Sequence, residues 1–375
     1  MYKAAAVYPH TLCGSYIRKV EQAVKSAYEH GFTEIFTSVH LPEYPFEDQL
    51  EAFALIAREA DKYGLEMTVD LGGPYIRKVL EDGSLKKKMK QIRFDFIRLD
   101  YGFEGNEAEE LYRLFDLKGF VLNASIYSED EIRSLVSALR KTDENMELRA
   151  CHNFYVLKDT GLDEAFAMRQ QMVFEGCGIP VYYCFSGTDS LRGPLHEGLV
   201  TIERHRNMRT AEVLAELMGT FEPEGLLMSD EWASDEDYEE INAVLAVFET
   251  EMHTPVTIPV RIDSSCREEE KRILLGRHVF RCDSPSKLLR SAASRQMAET
   301  AEKIDPGNMT ERKRGDVTVV NTGGLRYSGE LQVCMCGMPA DERFNVIAHV
   351  IREEDLLKLA CFRKGIEYVF TEEDA

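Results

Sequence analysis

The chain has 375 residues, 44% hydrophobic and 30% charged, with a formal net charge of -21. That length and composition support a sizeable core and two domains, and exclude global disorder. The acidic field repels polyphosphates, which excludes nucleic acid as a partner but admits a small phosphorylated ligand in a local basic pocket. The nine cysteines form no repeated C-x-x-C pair, which is the pattern of reduced thiols rather than of a zinc site. Met1 to Pro9 reads as a first strand rather than a signal peptide, and no apolar run reaches the ~18 residues of a membrane span. The expected location is cytoplasmic, and homo-oligomerisation is left open.

Along the chain, apolar β-rich runs alternate with helical patterns. Lys3–Tyr8 precedes a helix over Ser15–His30, Glu34–Ser38 one over Pro45–Tyr63, and Glu66–Asp70 one over Pro74–Glu81. Phe96–Leu99 precedes Asn106–Leu114, Gly119–Asn123 precedes Glu129–Arg140, and Glu147–Cys151 precedes Leu162–Glu175. Val181–Phe185 then leads to Val200–Leu217, and Gly225–Ser229 to Glu236–Glu251. Eight such units over about 250 residues predict a (β/α)8 barrel of the TIM type. A doubly wound sheet is the alternative, and no G-x-G-x-x-G follows the first strand to support it.

The pattern changes near Thr254. Strands are expected at Pro255–Asp263, His278–Cys282, Asp316–Asn321, Gly329–Cys334, Phe344–Val350 and Glu367–Phe370, with a short helix at Glu353–Cys361. Antiparallel strands with few helices predict a small closed β domain. The polar stretch Glu299–Arg314 reads as a mobile loop within it. The expected division is a barrel over 1–253 and a β domain over 254–375.

In such a barrel the C-terminal strand ends line the active site. Those ends carry Asp70, Asp100, Asn123 and His152-Asn153, with Tyr8 after the first strand, His40 and Glu43 after the second, and Asp230 after the eighth. Any one Asp or Asn there can be a helix N-cap; six such ends together form an arc that suits a sugar ring. Asp70 and Asp100, on adjacent strands, can approach the ~5 Å separation of a retaining carboxylate pair. Glu43 or Glu197 is the alternative general acid, supplied from a loop. His152, with an ordinary pKa near ~6.5, can bind substrate or move a proton, or can simply be a core histidine. Cys151 follows strand alternation and reads as packing. The loop after the seventh strand offers Ser186, Gly187, Thr188 and the forked cation of Arg192 for a phosphate, at a place where barrels often bind one.

Other chemistries lose their signatures. There is no H-x-H or H-E-x-x-H for zinc, no G-x-S-x-G elbow and no Walker loop, and the first strand ends in Tyr8-Pro-His10 with no Schiff-base lysine. Neither a metal nor an organic cofactor is expected. Carboxylate chemistry on a polar substrate remains, with glycoside hydrolysis the leading case.

Several motifs then become specific in combination: Phe36-Thr-Ser-Val-His-Leu-Pro-Glu43, Ile97-Arg-Leu-Asp-Tyr-Gly-Phe103, Leu122-Asn-Ala-Ser125, Ala150-Cys-His-Asn-Phe-Tyr155, Arg192-Gly-Pro-Leu-His-Glu-Gly198 and Pro339-Ala-Asp-Glu-Arg343. Their order and spacing resemble the MupG-like family of 6-phospho-N-acetylmuramidases over nearly the whole chain. The resemblance implies a barrel followed by a cyclophilin-like β-barrel domain. It also implies a cytoplasmic enzyme that cleaves N-acetylmuramic acid 6-phosphate–N-acetylglucosamine in peptidoglycan recycling. The chain departs from the family pattern at Leu71-Gly72, Arg149, Val156 and Ser186, changes expected to lie around the pocket. A paralogue acting as a phosphosugar isomerase or lyase is an alternative, as is a non-catalytic sugar-phosphate sensor.

Overall fold

A computed structural model describes residues 1–103, 105–187, 190–249, 255–285, 287–299, 303–360, 362 and 366–373. Eight parallel strands close a barrel: β1 (Tyr2–Ala6), β2 (Glu34–Ser38), β3 (Glu66–Leu71), β4 (Phe96–Leu99), β5 (Gly119–Asn123), β6 (Glu147–Cys151), β7 (Val181–Phe185) and β8 (Gly225–Met228). β1 pairs with both β2 and β8, which closes the ring and removes the doubly wound alternative. Helices return the chain between strands. Two of them stop where Gly31 and Gly64 take up left-handed backbone, φ 76° and 67°, a conformation that costs glycine little. Another begins at a capping box in which Ser128 and Glu131 satisfy each other's backbone N–H groups.

Three helical segments differ from the periodicity. The helix expected at Pro74–Glu81 is two, Gly73–Glu81 and Gly83–Met89, because the Asp82 side chain caps the second. The helix expected at Val200–Leu217 is a 3-10 turn at Glu203–His205, an α-helix at Thr210–Glu216 and a π turn at Leu217–Phe221. Glu203 accounts for the break: it accepts from the backbone of Asp159 and Gly161 and from Arg206, contacts that hold a turn rather than a helix face. These contacts, Arg206 foremost, draw its carboxyl down to about 2.

Aromatic and small side chains fill the lumen, among them Tyr8, Phe36, Phe96, Val121, Cys151, Tyr182 and Cys184. Cys151 is core, as alternation predicts, with its sulfur 3.8 Å from that of Cys184. The thiol of Cys184 and burial both push the Cys151 thiol up, so it stays protonated. The barrel floor is an ion cluster. Arg149, 1% exposed, donates to Glu34 (3.0 Å), Glu66 (2.7 Å) and Glu147 (2.8 Å), and its guanidinium lies over the Phe96 ring at 4.0 Å. Glu34, Glu66 and Glu147 are the first residues of their strands. Arg149 therefore faces the end opposite the C-terminal rim, not the pocket where the sequence places it.

The chain forms two compact units: Met1–Leu217 with Phe221–Asn242, and Met218–Thr220 with Ala243–Ala375. In the second, seven strands form a curled sheet: β9 (Val256–Ile262), β10 (Arg277–Val279), β11 (Leu288–Arg290), β12 (Asp316–Val320), β13 (Leu331–Cys334), β14 (Phe344–Val350) and β15 (Glu367–Glu372). Its order is β10-β15-β9-β14-β12-β13-β11, and a bridge between Phe280 and Ser291 joins the two edges. The pairing is antiparallel except for β9 with β15, which is parallel. β11 and the helices Glu268–Leu274 and Ser294–Glu299 are absent from the sequence reading, being too short to set up a period. The stretch read as a mobile loop is pinned where described. Ile304 is buried, Gly307 donates to Asn345 Oδ1, and Asn308 exchanges hydrogen bonds with Val346.

Candidate active site

The C-terminal rim carries an acidic cluster built around a cation that the strand pattern did not single out. Arg98, in β4 and 4% exposed, donates through Nη1 to Oδ1 of both Asp70 and Asp100, each at 2.9 Å. Its Nη2 donates to Asn153 Oδ1 at 2.6 Å. Burial works against the Arg98 charge, but Asp70 and Asp100 outweigh it and raise its pKa. Asn123 completes the frame: its Nδ2 lies 2.9 Å from both Asp100 Oδ1 and Asn153 Oδ1, and its Oδ1 accepts from Ser125 N. His40 Nε2 stands 3.7 Å from Oδ2 of each aspartate. The inner oxygens of the pair are thus held by guanidinium, and the outer ones face an imidazole.

A signal for Arg98 was present in Phe96-Ile-Arg-Leu-Asp100. Arg98 and Asp100 are two apart, so both point the same way from an otherwise apolar strand. His40, Asp70 and Asp100 bring possible ligand atoms within 4.8 Å of one another, the one such group among the described residues. A cation there would meet the Arg98 charge, which already offsets one of the two negative charges.

His152 lies beneath this frame rather than in it. It is fully buried, 4.6 Å from the Tyr183 ring, with Nδ1 3.1 Å from Ser125 Oγ and no partner at Nε2 among the described residues. Burial first and Arg98 second push its imidazole down to about 3. A neutral, enclosed imidazole lies against Ser125 Oγ, which accepts from Asn153 N at 2.9 Å.

The second sector of the rim is a cleft of about 690 Å³ between the loops after β1, β2, β7 and β8, lined by His10, Glu43, Tyr44, Arg192, Glu231 and Trp232 among others. The aspartate pair does not line it. The two meet through the loop after β2, which sets His40 against the pair and Tyr44 in the cleft. Arg192 is buried, with its guanidinium 4.1 Å from the Tyr8 ring centre and Nε 3.5 Å from Glu231 Oε1. Tyr8 is fully buried and donates to Ser229 O at 2.9 Å; burial raises its pKa well above the ordinary value.

Asp230 ties this loop down. It accepts from Arg192 N at 2.8 Å, Leu199 N at 3.3 Å and the Ser186 hydroxyl. Burial raises its pKa against those hydrogen bonds. Both Asp230 oxygens and the Ser186 proton are thus committed within the loop. Gly187 is half-buried beside Ser186, and Thr188 lies outside the described residues. Glu197 braces another loop by accepting from Lys158 N at 2.9 Å, whereas Glu43 is exposed at the cleft. Of the family departures, Leu71 is buried, Val156 packs against the lumen, and a Cβ at Gly72 would stand 3.2 Å from the Tyr101 ring.

Barrel and rim together define a (β/α)8 enzyme that works with carboxylates. The chain belongs to the 6-phospho-N-acetylmuramidase family, whose N-terminal region matches residues 5–243 and whose C-terminal region matches residues 256–371. It is a glycoside hydrolase of that type. Among solved structures it is similar to an uncharacterized B. cereus protein, at 24% identity and TM-score 0.63 over 99% of each chain. It is also similar to a conserved Enterococcus faecalis protein of unknown function, at 22% identity and TM-score 0.62 over 100% of this chain and 97% of that one. At those identities the likeness speaks for the fold alone. No curated protein matches. Among the described residues no helix is long and apolar enough to cross a membrane.

Proposed function

We propose that this enzyme hydrolyses the glycosidic bond of N-acetylmuramic acid 6-phosphate–N-acetylglucosamine, in cytoplasmic recycling of peptidoglycan sugars. The observation that carries the reading is the Asp70–Arg98–Asp100 clamp at the barrel mouth of a chain that matches both regions of this family. Positive charge develops at the anomeric carbon in the transition state. The clamp presents two carboxylates there, with Arg98 offsetting their mutual repulsion. One of them attacks or stabilises that carbon. Asn153 and His40 hold substrate hydroxyls or the acetamido group, with Asn123 and His152 supporting them from below.

Arg192 binds the 6-phosphate from the cleft, with Ser186 and Gly187 shaping the loop that carries it. Its planar fork matches a phosphate, and its present partner Glu231 lies at 3.5 Å, a loose pairing. No step requires a metal or an organic cofactor.

The test is a mass-spectrometric assay on matched disaccharides with and without the 6-phosphate. Release of N-acetylmuramic acid 6-phosphate from the phosphorylated one alone is the expected result. Equal cleavage of both overturns the phosphate assignment, and cleavage of neither overturns the substrate.

A further inference from the structure

The clamp leaves a gap in the chemistry. A sugar alkoxide is a poor leaving group and needs a proton as the bond breaks. Yet Asp70 and Asp100 both accept from Arg98, an arrangement made for ionised carboxylates. Glu197 is committed to the backbone of Lys158.

The cleft holds a chain of groups that the roles above do not use. Glu231 Oε2 lies 2.9 Å from His10 Nε2, and His10 Nδ1 lies 2.8 Å from the Tyr44 hydroxyl. The three come from the loops after β8, β1 and β2, and all line the cleft. The rings of Tyr16, Tyr44 and Trp232 lie 5.3, 5.3 and 6.1 Å from that of His10 and hold it in place.

Donor and acceptor bookkeeping makes this chain directional. An ionised Glu231 only accepts, so His10 Nε2 carries hydrogen. When His10 is neutral its Nδ1 accepts, and Tyr44 must donate to it, turning oxygen lone pairs to the cleft. When His10 is an imidazolium its Nδ1–H donates to Tyr44, and the phenol O–H turns to the cleft instead.

We propose that Tyr44, His10 and Glu231 form the proton relay that serves the leaving sugar, with Tyr44 the catalytic residue and the other two positioning and charging it. This rests on the glycosidase reading above. In the forward step the glycosidic C–O bond breaks and its electron pair stays on the leaving oxygen. That oxygen takes the Tyr44 proton, and Tyr44 takes the Nδ1 proton of His10. The imidazole becomes neutral and stays bonded to Glu231, while an aspartate carboxylate bonds the anomeric carbon. In the return step a water oxygen bonds that carbon, and the carbon–carboxylate bond breaks with its electron pair returning to the aspartate. The water proton goes to Tyr44 and Tyr44 passes one to His10, which restores the imidazolium. The leaving group is thereby placed in the cleft, against Tyr44 and Trp232, and its class is a neutral sugar.

The test compares two substrates that differ only in their need for a proton: the phosphorylated disaccharide and the dinitrophenyl glycoside of the same 6-phosphosugar, whose leaving group departs unprotonated. The variants are Tyr44→Phe, which removes one oxygen, and His10→Gln, each checked by thermal unfolding, with Glu43→Gln alongside. We expect both relay variants to lose about 10²–10⁴-fold in kcat/KM on the disaccharide and less than about tenfold on the dinitrophenyl glycoside. Equal loss on both substrates in folded protein makes the chain structural and overturns the relay. Selective loss in Glu43→Gln, with Tyr44→Phe near wild type, gives the acid role to Glu43 and also overturns it. Wild-type inactivity on both substrates overturns the substrate reading and the relay with it, which separates the two failures.

Discussion

Arg98 and Asp100 show how much one buried pairing decides. Arg98 bridges two carboxylates and still reaches Asn153, so losing one aspartate leaves it two partners. Asp100→Asn is therefore expected to keep the unfolding temperature near wild type while lowering kcat/KM about 10²–10⁴-fold, read by steady-state assay. Activity within severalfold of wild type would remove Asp100 from the mechanism. Arg192→Ala belongs to the same scale. Loss of a charge-assisted contact to phosphate costs about 1.5–3 kcal/mol, so KM should rise about 10- to 100-fold on the phosphorylated disaccharide and hardly at all on its unphosphorylated counterpart. Equal weakening of both would make Arg192 a structural group held between Tyr8 and Glu231.

At the scale of elements, two strand arginines have opposite fates. Arg98 is the third residue of β4 and Arg149 the third of β6. The row of paired residues runs from Ser38 at the end of β2 through Asp70, Arg98 and Val121 to Arg149. Because barrel strands tilt, such a row descends around the wall, from the catalytic rim at Ser38 to the floor cluster at Arg149. Arg149→Met would leave Glu34 buried without its cation. It should cost roughly 3–5 kcal/mol in denaturant unfolding and leave kcat of the folded enzyme unchanged. A fall in kcat without loss of stability would contradict the floor assignment. The strand ends themselves were legible in sequence, since apolar runs closing on Asp, Asn or His are a local pattern. The tilt that sorts those runs into rim and floor is not local.

For the whole molecule, buried histidines set an acid limit. His152 is pushed down to about 3, and His205 and His278 to about 4, in each case chiefly by burial. The unfolded chain binds these protons near ~6.5 while the folded chain refuses them, so stability is lost as pH falls from there toward the folded values. Glu34 and Asp230, raised by burial, pull the other way. Urea midpoints should fall between pH 7 and 5, and His152→Phe should flatten that slope. An unchanged slope in the variant would mean that His152 is not enclosed.

The sequence by itself determined the eight strand–helix units, the shift to a β-rich second region and the candidate arc of polar strand ends, because periodicity, helix stops and motif order are written over a few residues at a time. Tertiary structure alone decided that Arg98 joins the aspartates, that His152 is enclosed and Asp230 holds the backbone of Arg192 and Leu199, and that His10, Tyr44 and Glu231 connect. Those contacts unite loops up to 221 residues apart, and only closure of the barrel brings such distant side chains within hydrogen-bond reach.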